Sequence, residues 1–186
     1  MRVIAGQFRS RPLQSLHGLD IRPTSDRLRE TLFNVLTAGN PRTLEGSVWV
    51  DLFAGTGAVG IEAISRGAAM VHFVECSRRA VELIEKNLAS LKLQEGFRIL
   101  QQESAHALAE LDALNVQADF VFLDPPYSER GAYRETLEAL ANPILAKHAL
   151  VIAEHEKRFD PGERFGLLQR ARKLEQGDAA LSFYRT

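Results

Sequence analysis

Two stretches of the chain carry residue types that do chemistry. The first is Asp51-Leu52-Phe53-Ala54-Gly55-Thr56-Gly57-Ala58-Val59-Gly60. Its glycines let the backbone approach a ligand closely, and the helix predicted to follow offers free N–H groups at its start. Gly55-x-Gly57-x-x-Gly60 has the spacing of a dinucleotide fingerprint, with Glu75 further on to accept ribose hydroxyls. The second stretch is Asp124-Pro125-Pro126-Tyr127. Two prolines fix two φ angles and remove two backbone donors, which leaves the nearby carbonyls to accept from a ligand. Asp124 adds a carboxylate and Tyr127 an aromatic face. The set suits a planar group carrying an NH₂: the amine donates to Asp124 and to a backbone carbonyl while the ring stacks on Tyr127. Holding both amine hydrogens draws the nitrogen lone pair out of conjugation and aims it at an electrophile, a gain in positioning and electrostatics.

Asp51 bears on which ligand the glycine loop takes. A pyrophosphate is anionic and is repelled by a carboxylate. S-adenosylmethionine carries a sulfonium and an α-ammonium, which a carboxylate attracts at close range. Asp51 tilts the reading towards S-adenosylmethionine. On the loop alone NAD, and with it an NAD-dependent oxidoreductase, stays open.

The elements that must position these residues are legible in the hydrophobic pattern. From Ser47 onward, strands alternate with helices. Strands are predicted over 48–53, 71–74, 97–100, 119–123 and 149–153, with helical stripes between them, such as Val81, Ile84, Leu88 and Leu91. Such alternation implies a mostly parallel sheet covered on both faces. Residues 165–174 and 179–184 read as a C-terminal antiparallel hairpin around Gly177-Asp178. Asp51, Glu75 and Asp124 then fall at the carboxyl edge of the sheet, where open α/β folds bind ligands. Residues 1–45 read as a distinct N-terminal extension and 46–186 as the ligand-binding domain. Within the extension, Met1–Ala5 and Pro12–Leu16 are expected to pair as two small strands. Thr24-Ser25-Asp26 starts a helix whose Leu28, Leu32, Val35 and Leu36 share one face.

Composition sets the outer bounds. A chain of 186 residues suits one domain, and a single cysteine, Cys76, rules out a disulfide scaffold and suits a reducing compartment. No apolar run approaches the roughly 18 residues of a membrane span, and the N-terminus shows no signal-peptide core. A cytoplasmic protein without membrane contact is expected. The net charge of −1 hides an asymmetry: residues 1–29 hold six arginines and two aspartates, or +4, leaving −5 for the rest. Arginine suits bidentate phosphate contacts and base stacking. None of the five histidines stands at metal-ligand spacing, so no metal is expected. Trp49 is expected to be core, and Cys76, following Glu75, either lines the ribose pocket or is a small buried residue. Glu154-His155, closing the fifth strand, either supports the site or lies on the surface.

The loop Asp51–Gly60 with Asp124-Pro125-Pro126-Tyr127 resembles the class I S-adenosylmethionine-dependent methyltransferases that modify exocyclic amino groups. With Arg2-Val3-Ile4-Ala5-Gly6, the block Arg22-Pro23-Thr24-Ser25-Asp26-Arg27-Leu28-Arg29-Glu30 and the tail Gly177–Arg185, the chain is similar over essentially its whole length to the bacterial 16S rRNA guanine-N2 methyltransferases of the RsmD type. The resemblance implies a Rossmann-like α/β fold with a seven-stranded-type sheet and S-adenosylmethionine as cofactor. It places Asp51, Phe53, Ala54, Gly55 and Gly57 at the methionine end of the cofactor and Glu75 at its ribose. The family's aspartate after the third strand, which contacts the adenine, is matched here by Glu103, followed by Ser104. Asp124, Pro125, Pro126 and Tyr127 would hold the guanine amine. Arg22, Thr24, Ser25, Arg27 and Arg29 would grip 16S rRNA, in an assembled or assembling small ribosomal subunit, with the protein acting as a monomer. The alternatives are an amino-group methyltransferase acting on DNA adenine or a protein glutamine, an oxidoreductase, and a non-catalytic RNA-binding module.

Overall fold

The computed structural model describes residues 1–15, 25–140 and 144–186. Runs rich in β-branched and aromatic residues form β1 (Val48–Leu52), β2 (Met70–Val74), β3 (Phe97–Leu100) and β4 (Ala118–Leu123), and the later strands are β5 (Leu145–Glu156), β6 (Arg164–Phe165), β7 (Leu168–Gln176) and β8 (Ala179–Arg185). The helices are α1 (Asp26–Thr37), α2 (Ala58–Ser65), α3 (Arg78–Ser90), α4 (Ser104–Ala113) and α5 (Arg130–Ala139). All eight strands join one sheet in the order β3-β2-β1-β4-β5-β8-β7-β6. The first five are parallel to their neighbours, and β8, β7 and β6 extend the sheet antiparallel. The expected α/β architecture and terminal hairpin are present. The two-residue β6 is an addition to the seven strands expected: Phe165 anchors it in the core, and Gly166 at φ 54° turns the chain into β7.

Each face of the sheet is covered. On one face α1, α2 and α3 pack over Trp49, Phe73, Phe120, Ile152 and Phe183. On the other, α4 and α5 pack over Val50, Val121, Val151 and Tyr184. Alternation along each strand sends neighbours to opposite faces, so burial on both sides produces the near-continuous apolar runs seen in the sequence. Trp49 is buried as expected, stacked between Phe33 and Phe120 at ring distances of 5.5 and 5.3 Å.

The N-terminal segment departs from the expected strand pair. A single antiparallel bridge, Arg2 with Pro12, remains of it within the described residues, and Leu16 lies outside them. The reason is competition for backbone donors. Ile4 N and Ala5 N donate to the buried Glu62 carboxylate of α2 at 2.8 and 3.0 Å. Phe8 N donates to Ser65 Oγ, and Gln14 N to Asn87 Oδ1 of α3. Donors spent on helices cannot form a ladder.

α1 starts as the sequence predicts, with Ser25 Oγ accepting from Leu28 N at 3.2 Å. Arg29, however, is fully enclosed, and its guanidinium donates to Asp26 and to the Arg2 carbonyl. This corrects the expectation for Arg29 as an RNA contact, while Arg27 is exposed. At i, i+3 from Asp26, the side chain turns inward to tie α1 to the first strand bridge. Glu154 and His155 are also inside the protein rather than on its surface. His155 Nδ1 donates to Glu156 O at 2.8 Å, so Nε2 accepts from Ser182 Oγ at 2.9 Å. Burial holds the His155 pKa below its ordinary value, which keeps this pair of bonds in one tautomer.

Candidate functional site

β1 delivers Asp51 near its carboxyl end, and the chain then turns sharply through Phe53, Gly55 and Gly57 at φ 60°, 54° and 73° into α2. Gly57 N closes the turn on Ala54 O at 2.7 Å. Gly60 has a different task. A Cβ there would lie 2.3 Å from a Phe73 ring carbon and 2.8 Å from a Val71 methyl, so this glycine lets α2 lie close on β2. Asn87 of α3 braces the loop from behind, donating from Nδ2 to Thr56 O at 3.0 Å.

Two carboxylates take up the loop's own donors. Gly60 N donates to Asp51 Oδ2 at 2.9 Å, and Gly55 N to Glu75 Oε2 at 2.8 Å. The other Glu75 oxygen accepts from Ser77 N at 2.8 Å. In a dinucleotide site such N–H groups face a pyrophosphate. Here two of them already face acids and are spent within the loop. These carboxyl acceptors fit a cationic ligand with vicinal hydroxyls and do not fit a pyrophosphate. Burial pushes the Asp51 carboxyl up to about 8, offset in part by the Gly60 hydrogen bond and reinforced by the Glu75 charge.

Across the sheet edge, Asp51 pairs in register with Phe122 of β4, which places the Asp124-Pro125-Pro126-Tyr127 turn beside the glycine loop. Glu129 N donates to Pro126 O at 2.7 Å, closing that turn. Tyr133 of α5 is buried; its hydroxyl donates to Glu154 O at 2.9 Å and lies 3.4 Å from Pro125 O. Burial and the surrounding acids hold its phenol far above the ordinary range, so it stays a donor.

A cavity of about 660 Å³ joins the two stretches. Asp51, Phe53, Ala54, Gly55, Glu75 and Glu103 line one side of it, and Asp124 through Tyr127 the other. Gly57 does not line it, being taken up in the turn. Ser104 lines a smaller adjoining hollow with Glu103 and Cys76. Cys76 is exposed and lines the main cavity as well, which corrects the expectation of a buried residue. Partial burial and the charges of Glu75 and Glu103 push its thiol up. Of the residues expected to hold RNA, Arg22 and Thr24 lie outside the described residues. Ser25 and Arg27 are exposed, Arg29 is enclosed, and none of these three lines the cavity.

Sequence reasoning missed Asn87 and Tyr133. Asn87 carried a signal, since it is a polar residue within the apolar stripe of α3. Tyr133 gave none, because a tyrosine at a core position of α5 looks like packing alone. Among the described residues no group of three or more His, Cys, Asp or Glu side chains is arranged to hold a metal ion, and no helix is long and apolar enough to cross a membrane.

Comparisons with known proteins agree with this geometry. The family model described as "Conserved hypothetical protein 95" matches residues 1–185. The chain is 38% identical over 157 residues to "Ribosomal RNA small subunit methyltransferase D" of Escherichia coli strain K12, covering 84% of this chain and 75% of that protein. It is 32% identical over 190 residues to "Putative rRNA methyltransferase YlbH" of Bacillus subtilis, covering 100% and 98%. Among solved structures, "Putative methyltransferase yhhF" from Escherichia coli superposes with a TM-score of 0.83 at 33% identity, covering 100% of this chain and 97% of that one.

Proposed function

The chain belongs to the Conserved hypothetical protein 95 family, the RsmD-type rRNA methyltransferases, and on that premise we propose that it methylates the exocyclic N2 amine of a guanine in 16S rRNA, using S-adenosylmethionine. One observation carries the reading: the acid-lined glycine loop and the Asp124–Tyr127 turn open into the same cavity. In this reading Asp51 holds the α-ammonium of the cofactor and Glu75 its ribose hydroxyls. Phe53, Ala54 and Gly55 shape the space between, while Glu103 and Ser104 border the adenine. When bound, S-adenosylmethionine supplies an electrophilic methyl group on a cationic sulfur. Asp124 and the Pro125 carbonyl accept the two amine hydrogens, and Tyr127 stacks on the guanine ring, so that the nitrogen lone pair points out of the ring plane. Tyr133 holds the carbonyl turn in place. After transfer the surplus amine proton passes to water or to Asp124. The guanine must leave its stack to reach the cavity. Residues 1–45 supply RNA contacts, with Arg27 exposed to meet phosphate. The protein works in the cytoplasm as a monomer on the assembled or assembling small subunit.

The test is methyl transfer from labelled S-adenosylmethionine to 16S rRNA and to small subunits lacking the mark, with the product nucleoside identified. N2-methylguanosine in rRNA is the expected result. Label in DNA adenine or in a protein glutamine, or no label anywhere, overturns the reading.

A further inference from the structure

We propose that the outer face of the C-terminal hairpin is a second RNA-phosphate surface, formed by Arg164, Arg172 and Arg185. The inference rests on the RNA substrate proposed above and adds a contact area remote from the cavity. Register places the three side chains together. Arg164 pairs with Gln169, which pairs with Arg185, and directly paired residues point to the same face. Their neighbours Phe165, Leu168 and Tyr184 point into the core beneath α5, so the row itself lies on the opposite face, the one that carries α1. Arg172 pairs with Phe183, which also belongs to that face. All three arginines are exposed.

Charge separates the two faces of this hairpin. On the α5 side, Arg170 is bound by Asp160 and Glu163, and Lys173 by Glu175. Those cations are neutralised within the fold. On the α1 side, β6, β7 and β8 contribute Arg164, Arg172 and Arg185 and no acidic residue; the strands' one acid, Glu175, pairs with Ala180 on the other face. No ion pair among the described residues involves any of the three. Two strand spacings put the outer arginines about 10 Å apart, a separation that long flexible side chains bridge onto neighbouring phosphates of one strand. Guanidinium groups take such phosphates bidentately. An excess of three positive charges on a chain of net charge −1 is a local rather than a global feature, so it selects an anionic partner at that face.

The experiment compares the wild-type chain with a triple variant, Arg164→Ser, Arg172→Ser and Arg185→Ser, and with the charge-keeping triple Arg→Lys variant. Affinity for a 16S rRNA fragment is measured at salt concentrations from about 50 to about 200 mM. Each phosphate contact contributes about 0.7 to the slope of log affinity against log salt on single-stranded RNA, so the serine variant should lose about 2 from that slope and on the order of tenfold or more in affinity at the low-salt end. The lysine variant should keep most of both. S-adenosylhomocysteine affinity should be unchanged in all three proteins, which shows that the cavity is intact. An unchanged slope and affinity in the serine variant overturns the proposal. So does binding to anionic vesicles that depends on the three arginines while RNA binding does not. If the wild-type chain transfers no methyl to any RNA, the catalytic reading fails by itself and the slope comparison still decides this surface.

Discussion

Asp51 makes the affinity for cofactor a function of pH. The perturbation is titration of this one carboxyl, compared with Asp51→Asn. With the carboxyl pushed up to about 8 by burial, only about 1% of it is ionised at pH 6 and half at pH 8. A ligand ammonium binds the ionised form, so the empty protein must first release a proton below pH 8. Affinity should therefore rise by close to tenfold per unit at the acid end, about 50-fold between pH 6 and pH 8, and level off above. The assay is calorimetric titration with S-adenosylhomocysteine, which carries the ammonium, in two buffers of different ionisation enthalpy. At pH 7 about 0.9 proton should be released per ligand bound. Titration of the ligand itself is common to both proteins and cancels in the ratio of wild type to Asp51→Asn, whose own profile should be flat. The folding linkage has the opposite sense. The folded carboxyl titrates above its unfolded value, so its contribution to stability is full below about pH 4 and is lost as pH rises towards 8. A wild-type affinity that stays flat over this interval, with no proton released, would refute the assignment of Asp51 to the ammonium.

Asp124→Ala should lower methyl transfer about 10²-fold or more while S-adenosylhomocysteine affinity is kept; equal losses in both would place Asp124 in the cofactor half of the cavity. Tyr133→Phe leaves Glu154 O without its 2.9 Å donor and should cost about 1–2 kcal/mol in denaturant unfolding, with a fall in kcat but not in cofactor KM. Gly60→Val puts side-chain carbon where 2.3 Å separates a Cβ from Phe73, and unfolding should show a loss of about 1–3 kcal/mol. Glu62→Ala strips Ile4 N, Ala5 N and Arg66 of their acceptor, and hydrogen exchange should show those two amides losing protection.

The central sheet was readable because strands buried on two faces are nearly continuously apolar, as in the short run 48–52 between Ser47 and the glycine turn, where Asp51 alone is polar. The helix entry at Ser25 was readable for a local reason, since an N-cap bond spans only three residues. The N-terminal pairing was not. Whether Ile4 and Ala5 bond to a partner strand or to Glu62 depends on a residue 58 positions away, and no local pattern reports that. The same limit applies to Arg29. Its spacing from Asp26 is visible in the sequence, but its burial follows from where Arg2 passes over α1. Tyr133 belongs to this class as well, because its partners come from two different strand ends. In the candidate site, the residue types were legible one by one. What the sequence left open was where the loop donors go, and that distribution leaves no free Gly55 or Gly60 N–H for an anion.

The acidic excess of the body acquires a structural explanation from these partners. Glu62 accepts Ile4 N and Ala5 N, Asp51 accepts Gly60 N, and Glu75 accepts Gly55 N and Ser77 N. Asp119 accepts Val48 N at 2.8 Å. Each of these carboxylates closes a loop or the start of a strand that the sheet ladder cannot satisfy. Where the carboxyl is ionised, such hydrogen bonds are about twice as strong as neutral ones. Two of the four, Asp51 and Glu75, also line the cavity. The acids that complete the glycine loop therefore disfavour an anionic ligand there, and a cationic one draws the proton from Asp51 and meets a carboxylate. Replacing either acid by an aliphatic side chain alters loop closure and ligand preference together. The two effects separate only in an isosteric amide such as Asp51→Asn, with its carbonyl oxygen turned towards Gly60 N. The acceptor is then retained while the charge is removed, so the loop should stay closed as the preference for a cation is lost.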